Sequence, residues 1–564
     1  MQYTADFETT TDPDDCRVWA WGLCEISDKQ TFTYGNNIDT FFDVFRKKSA
    51  HVYFHNLKFD GEFIVSWLFN HGFNYVESRD DLYTNSFTAI IADTGQWYSV
   101  TICFRREMQR SIYLTLLDSL KILPFPVESV AKAFGLSFGK LTIDYDAPRE
   151  PGHILTANEV DYLKNDVTIM AAALSVLFAQ DLKSMTIGTN ALKDFKRVFD
   201  VDRFNALFPV PDYDADVRKS YRGGFTYLMP KYANKTVGAG IVLDVNSLYP
   251  AVMYRYPMPY GNGLYFNGQY KHDNLYPLFI QMFTCEFKLK PKHIPTVQLK
   301  KTRYFYGAGE YLEQSDGETA LTMTSVDLKL FKQHYNVWNV QYIGGYKFKA
   351  STGLFCDYID KWLKIKTDAK TTGNKGMYTL AKLMLNSLYG KFALNPDAKR
   401  KIIEFDHDAN LTVLRSGPME QRTPVYIPVG TFITSYARYV TVTAAQKLYD
   451  RFIYADTDSL HLIGTEPVDC IPVDTYRLGH WKHEFTFSKA HYIRSKTYIE
   501  LGRDPGDTGP EYLKVTCAGL PARCHKQVTF NNFRPGMVYT DKLLPKRVPG
   551  GVVLLQTEFK IKEL

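Results

Sequence analysis

The chain has 564 residues, of which 45% are hydrophobic and 23% charged, with a formal net charge of +6. At roughly 150 residues per domain this length holds three or four units, and ordinary globular usage on so long a chain excludes a disordered or fibrous protein. The eight cysteines form no C-x-x-C pair, which argues for reduced thiols and against a disulfide framework or zinc ribbon.

The N-terminal Met-Gln-Tyr-Thr-Ala-Asp-Phe-Glu lacks the basic and apolar regions of a signal peptide. The most apolar run, Val167 to Ala179, is too short to span a bilayer, so a soluble intracellular protein without membrane contact is expected. In chain order, Gln2 to Phe7, Val18 to Cys24 and His51 to His55 read as strands from their β-branched and aromatic content. Phe59 to Asn70 reads as an amphipathic helix with Gly72 just past its end. Thr156-Ala-Asn-Glu159 is a capping box that opens a helix running toward Ala179. A Pro-rich stretch, Phe208 to Tyr213, marks a boundary.

Beyond it, Gly240 to Val245 reads as a buried strand and Phe452 to Asp458 as another. Two helical patterns lie between them, Phe355 to Thr367 and Met377 to Gly390. The basic loop Asp368 to Gly376 joins them into an αα-hairpin. Segments 297–352 and 393–424 read as irregular, polar insertions. From Arg523 onward there are eight Lys/Arg against three Asp/Glu, a local polyanion-binding tendency. Within this tail Val548-Pro-Gly-Gly-Val-Val-Leu predicts a turn followed by a strand.

Asp6 and Glu8 sit at i and i+2 of a predicted strand and therefore face one side. Alone, a D-x-E is usually a solvated edge. Here His55-Asn-Leu-Lys-Phe-Asp60-Gly places a third carboxylate where a strand meets a helix, and Tyr162 and Asp166 share a helix face at i and i+4. Four acidic oxygen donors suit two hard divalent cations, a pair suited to phosphodiester cleavage, and Tyr162 can orient the attacking water.

A second set follows. Asp244 closes a strand before a Pro-bounded turn, Asp244-Val-Asn-Ser-Leu-Tyr249-Pro250, and Tyr454-Ala-Asp456-Thr-Asp458-Ser is strand-like with its aspartates on one face. The same two-cation geometry serves nucleotidyl transfer. Lys382, Asn386 and Tyr389 fall at i, i+4 and i+7 of the second hairpin helix, where a lysine neutralises triphosphate charge and a tyrosine stacks on a base or sugar. Lys366 faces them from the first helix.

In this order, the first set resembles the three-motif 3′–5′ exonuclease of DNA polymerases, which has an RNase H-like fold. The second resembles motifs A, B and C of family B DNA polymerases, with Lys496-Thr-Tyr498 matching the K-x-Y motif and Tyr221-Arg-Gly-Gly224 the Y-x-G-G motif. The resemblance covers essentially the whole chain and is closest to the small protein-primed branch of bacteriophages. It implies an α/β and α+β multidomain fold, an exonuclease domain plus a right-hand polymerase of palm, fingers and thumb with two terminal-protein-region insertions. The corresponding segments are 1–185 for the exonuclease, 186–296 and 425–522 for the palm, and 353–392 for the fingers. Segment 297–352 is the insertion touching terminal protein, 393–424 the insertion for strand displacement and processivity, and 523–564 the thumb.

By the same resemblance, Asp244 and Asp458 hold metal with the Val245 carbonyl, and Asp456 supports them. Tyr249 excludes a 2′-hydroxyl; Lys366, Lys382, Asn386 and Tyr389 bind the incoming nucleotide. Lys496 and Tyr498 hold the primer terminus, and Tyr221, Gly223 and Gly224 contact DNA. Asp6, Glu8, Asp60 and Asp166 hold the exonuclease metals with Tyr162 orienting water, while Thr9, His55, Asn56, Phe59, Ser119 and Phe125 grip a single-stranded 3′ end. The implied cofactor is Mg²⁺, two per active site, with Mn²⁺ as the alternative. The implied partners are template and primer DNA, dNTPs and a terminal protein, the chain being a monomer or a heterodimer with that protein in the cytoplasm of a bacterial host. A nuclease with a vestigial polymerase half and a non-enzymatic replication scaffold are the competing readings; neither accounts for two complete carboxylate sets.

Overall fold

The structure is a computed structural model that describes every residue except 28, 109, 137–140, 146, 299–310 and 564. Eight strands of the N-terminal part form one sheet. Phe32–Gly35, Val18–Glu25, Gln2–Thr9, Ala50–Phe54, Ser111–Asp118, Trp97–Arg106, Ser86–Ile91 and Asn74–Tyr75 lie side by side in that order. Gln2–Thr9, Ala50–Phe54 and Ser111–Asp118 run parallel at its centre. Period-2 alternation sorts the first strand into two environments. Tyr3, Ala5 and Phe7 enter the aromatic core built with Phe41, Phe54 and Phe63. Thr4, Asp6 and Glu8 face the other way, toward helix Ala157–Ala179, whose Val167 carbonyl accepts from the Thr4 hydroxyl at 2.7 Å.

That helix opens on the expected capping box, with the Thr156 hydroxyl and the Glu159 carboxylate each serving the other's backbone N–H. Its 23 residues are long and apolar enough to cross a membrane by composition, but it is packed into the protein against the first two strands. Burial alone would raise the Glu159 carboxyl. His153, Thr156 and Arg149 override this and hold it down at about 2. A carboxyl held below its ordinary value of 4.5 contributes stability that is fully present above that value and is lost as pH falls toward 2. Glu159→Gln is therefore expected to lose part of the acid dependence of stability in this window, measured by denaturant unfolding from pH 5 to pH 2.

A second, antiparallel sheet runs Tyr512–Cys517, Thr497–Arg503, Trp481–Arg494, Gly240–Val245, Ser459–Ile463, Phe452–Asp456 and Thr226–Leu228, with Lys235–Val237 pairing onto Trp481–Arg494. Helices Leu248–Arg255 and Ile427–Lys447 pack on the face bearing Ile241, Leu243 and Val245. Asp244 follows Val242 onto the opposite face.

The expected αα-hairpin is formed by Cys356–Thr371 and Lys375–Ser387. Its loop is only 372–374, because the first helix continues through the polar turn Lys364 to Thr371. The second helix ends at Ser387, and Tyr389 opens a separate turn, Tyr389–Phe392.

The two segments expected to be irregular, 297–352 and 393–424, carry regular elements. The first contributes Thr319–Thr324, helix Ser325–His334 and the 17-residue strand Tyr335–Ser351 to a four-stranded sheet completed by Met258–Asn267 and Leu278–Leu289; residues 299–310 lie outside the described residues. The second is a two-stranded hairpin, Asp397–Asp406 with Leu411–Gln421. Its Phe405 stacks on Phe69 of the N-terminal sheet's helix Leu57–Asn70, centroids 4.7 Å apart. The C-terminal turn-and-strand expectation matches the hairpin Val538–Val548 with Gly551–Lys560. The tip of this hairpin reaches back to the N-terminal sheet: Val548, Val552 and Val553 belong to the core of Phe7, Phe54 and Phe63.

Candidate active sites

The first carboxylate set converges. Asp6 and Glu8 come from the central strand, Asp166 from the helix lying over it, and Asp60 from the first turn of helix Leu57–Asn70. Asn56 starts this helix in the left-handed region, φ +79°, and its N–H donates to Asp118 Oδ1 at 3.1 Å. Loss of solvation, then Asp60, Glu8 and Asp166, push the Asp6 carboxyl well up. Burial, then Asp166 and Asp60, raise Glu8 to about 8. Burial also raises Asp60 to about 8, and its Oδ1 is buried without a protein partner. Mutual repulsion of this kind marks a site awaiting positive charge. Among the described residues, no group of three or more acidic, His or Cys side chains is placed to hold a metal ion. The donor set of crowded, partly orphaned carboxylate oxygens nevertheless fits hard divalent cations.

Tyr162 is buried at the edge of the cluster, its hydroxyl 2.8 Å from that of Tyr145; burial first, then Tyr145, Asp166 and Glu8, raise its pKa. Thr9 is half-buried at the strand end, beside a bulge. Asn56 is exposed, and Phe59 is half-buried against Phe63. His55 Nδ1 lies 3.0 Å from Ser119 Oγ, and Nε2 lies 2.7 Å from the Phe125 carbonyl. Ser119 is wholly buried and donates to the Phe54 carbonyl. Its hydroxyl therefore shapes the turn that presents Asn56 and Phe59 and is not itself displayed. Asp118, Tyr145 and the buried Arg149–Glu159 pair escaped the sequence reading.

The second set also converges, with one correction. The strand Phe452–Asp456 stops at Asp456; Thr457 adopts φ +61°, and Asp458 lies in the turn to Ser459–Ile463. The two aspartates therefore do not alternate on one continuous strand. The Asp456 carboxylate accepts from Thr226 Oγ1 at 3.0 Å and from the Tyr454 hydroxyl at 3.2 Å, with Lys496 Nζ at 3.5 Å. Asp458 faces Asp244 instead. Its carbonyl accepts from Val245 N–H at 2.8 Å, which fixes Val245 beside it. Burial, then Asp458 and Glu484, raise Asp244 to about 7. Burial, then Asp456 and Glu484, raise Asp458 to about 6. Lys382 draws both down, so its ammonium reaches this site.

Lys366 is pushed below its ordinary value by burial and then by Lys382, Lys370 and Lys482. This crowd of ammonium groups beside two carboxylates is a ready counter-charge for a polyphosphate. Tyr249, on helix Leu248–Arg255, stacks on Tyr389 with centroids 3.7 Å apart and planes at 15°; Tyr221 lies close enough that Tyr389 raises its pKa after burial. Asn386 is exposed on the same helix as Lys382. Glu484, Lys482 and Lys370 were not singled out in the sequence. Lys482 pairs directly with Asp244 across the sheet, and Glu484, left unpaired where that register shifts, adds its charge to both Asp244 and Asp458.

The Tyr221–Gly224 segment is pinned against the Asp458 turn. A Cβ on Gly224 would stand 2.6 Å from Thr457 Oγ1, so only glycine allows this approach. Arg438 donates to the Arg222 and Gly223 carbonyls, each at 2.7 Å, and grips Asp327 at 3.0 and 2.6 Å. Arg438→Gln would leave the largely shielded Asp327 without its counter-charge, an effect at or somewhat below the about 3–5 kcal/mol of a fully buried pair. A clear fall in the thermal unfolding midpoint is the expected result, read by calorimetry. Lys496 keeps its side chain exposed, but Tyr498 is packed between Tyr454 and Tyr492. Of that motif, only the lysine is presented outward.

The family described as DNA polymerase type B, organellar and viral, matches residues 42–474. The DNA polymerase of Bacillus phage phi29 is 48% identical over 99% of both chains, and that of Bacillus phage B103 is 46% identical over the same shares. The solved structure of phi29 DNA polymerase complexed with primer-template DNA superposes with a TM-score of 0.93, at 46% identity over 100% of both chains. Its ternary complex with incoming nucleotide substrates gives the same TM-score, identity and coverage.

Proposed function

The chain belongs to the family of organellar and viral type B DNA polymerases, and from that premise we propose a protein-primed, strand-displacing replicase that proofreads its own product. It is a DNA-directed DNA polymerase of the phi29 type, with the exonuclease plus palm, fingers and thumb architecture of that group. The observation that carries the finer reading is the presence of two separate carboxylate clusters on two separate sheets, each with its pKa values driven up.

At the second cluster Asp244 and Asp458 would hold the divalent cations, Mg²⁺ in this reading, with the Val245 carbonyl beside them. Bound there, such cations lower the pKa of a 3′-hydroxyl and offset charge on the transferring phosphate. The chain's own part is positioning and electrostatics. Lys382, Lys366 and Lys370 neutralise the triphosphate of the incoming nucleotide. The stacked Tyr249 and Tyr389 form a flat floor that leaves no room for a 2′-hydroxyl, and exposed Asn386 flanks it. Asp456, held by Thr226 and Tyr454, keeps the turn of Asp458 in place and meets Lys496 at the primer terminus. Tyr221, Gly223 and Gly224 form the adjoining DNA contact.

At the first cluster Asp6, Glu8, Asp60 and Asp166 would hold the cations for hydrolysis, and the Tyr162–Tyr145 pair orients the attacking water. Thr9, Asn56, Phe59 and Phe125 surround the 3′ end, with His55 and Ser119 setting their turn. Terminal-protein priming and work in the cytoplasm of a bacterial host rest on likeness to the phage relatives. Strand displacement is supported by the hairpin Asp397–Gln421 bridging the N-terminal sheet and the C-terminal hairpin.

Primer extension on a template blocked by a downstream strand, with Mg²⁺ and with or without dNTPs, tests the reading. Long products with dNTPs and 3′ shortening without them are expected; shortening alone would leave only the nuclease. Absence of any nucleotide–protein adduct with the cognate terminal protein would sink protein priming.

A further inference from the structure

Helix Leu57–Asn70 carries two acidic side chains with different partners. Asp60 and Glu62 stand at i and i+2, about 200° apart around the axis, so they point to opposite sides. Asp60 joins Asp6 and Glu8. Glu62, only 4% exposed, is gripped by both arms of Arg547, Nε at 2.8 Å and Nη2 at 2.6 Å. Arg547 lies at the tip of the C-terminal hairpin, 485 residues away. The turn beyond it is seated on the same helix. A Cβ on Gly551 would stand 2.5 Å from the Phe63 ring, and Gly550, at φ +93°, lies against the Cys16 backbone carbonyl. Val548, Val552 and Val553 complete the seat among buried apolar groups.

The hairpin tip is thus clamped to the back of the helix whose front presents Asp60. A bidentate guanidinium–carboxylate pair fixes direction as well as distance, so the helix end cannot shift without breaking it. We propose that the Arg547–Glu62 pair is a latch by which the C-terminal hairpin keeps Asp60 in register with Asp6 and Glu8. Arg547 is then a positioning residue for 3′ shortening, and this rests on the nuclease reading of that cluster. The latch makes trimming of a 3′ end conditional on a seated hairpin.

Arg547→Gln strands a buried carboxylate, whereas Arg547→Gln with Glu62→Gln removes both charges and keeps one amide–amide hydrogen bond between hairpin and helix, the introduced amide nitrogen standing where Arg547 Nε does. In metal-free protein, Arg547→Gln is expected to speed amide hydrogen exchange in residues 57–63 by about tenfold. It should also slow 3′ shortening of a single-stranded oligonucleotide by about tenfold, in kcat rather than KM, the size seen for a group that orients a metal-site residue. Single-nucleotide addition to a saturating primer–template should be unchanged, and the double variant should regain most of the lost shortening and exchange protection. Equal exchange and equal shortening in Arg547→Gln and wild type would overturn the latch alone. So would an equal loss of both activities, or a double variant no better than the single one. A wild-type chain that extends primers but never shortens them would overturn the nuclease reading and the latch with it.

Discussion

Asp458→Ala is expected to abolish nucleotide addition while leaving 3′ shortening of single-stranded DNA within about twofold of wild type. Losing one charge-stabilising part of a phosphoryl-transfer site costs on the order of 10³ to 10⁵-fold. Asp458 shares its turn with no residue of the first cluster, which lies on another sheet. Asp458→Asn should be nearly as inactive, because the amide keeps the shape but loses the anionic oxygen donor. Single-turnover addition of one dNTP, beside degradation of a labelled oligonucleotide by the same preparation, reads both numbers. A folded Asp458→Ala protein that lost shortening as well would break the assignment of two independent sites.

The reciprocal substitution, Asp6→Ala with Glu8→Ala, is expected to remove 3′ shortening by a comparable factor and to leave the rate of correct addition unchanged. Folding should not suffer. Both carboxylates are held in a cluster that repels itself, so their removal relieves strain, and a small rise in thermal midpoint should accompany the loss of activity. The test pairs a melting curve with a mispaired-primer assay, in which the double variant should stall on the mismatch or extend it without first trimming it. Trimming at the wild-type rate would place the nuclease elsewhere.

The carboxylates were legible in the sequence because each lies in a short segment whose geometry is local. Asp6 and Glu8 obey the strand period, Asp60 follows a strand-to-helix turn, and Tyr162 and Asp166 obey the helix period. Asp118, Lys482 and Glu484 were not legible. Lys482 meets Asp244 through a strand pairing that spans more than two hundred residues, and no spacing rule reports such a register. The single strand expected over Phe452 to Asp458 failed at Thr457, a β-branched residue held at positive φ where local preference opposes it. Packing of the Tyr221–Gly224 segment against it supplies the constraint. The hairpin Asp397–Gln421 looked irregular because most of its positions are at least partly exposed, so no apolar alternation marks its strands.

The seating of Val548, Val552 and Val553 among Phe7, Phe54 and Phe63 also bears on how the chain reaches its native state. Apart from Ile403, the rest of this core lies within the first 116 residues, yet it is closed by a segment that leaves the ribosome some 430 residues later. At about 5–20 residues per second, that interval is tens of seconds. During it the emerging domain must carry an uncovered apolar seat, a surface on which holding chaperones or a neighbouring nascent chain would act. Completion of this core therefore waits on synthesis of the end of the chain, a high-contact-order closure, and truncation before residue 548 would uncover the seat of these three valines.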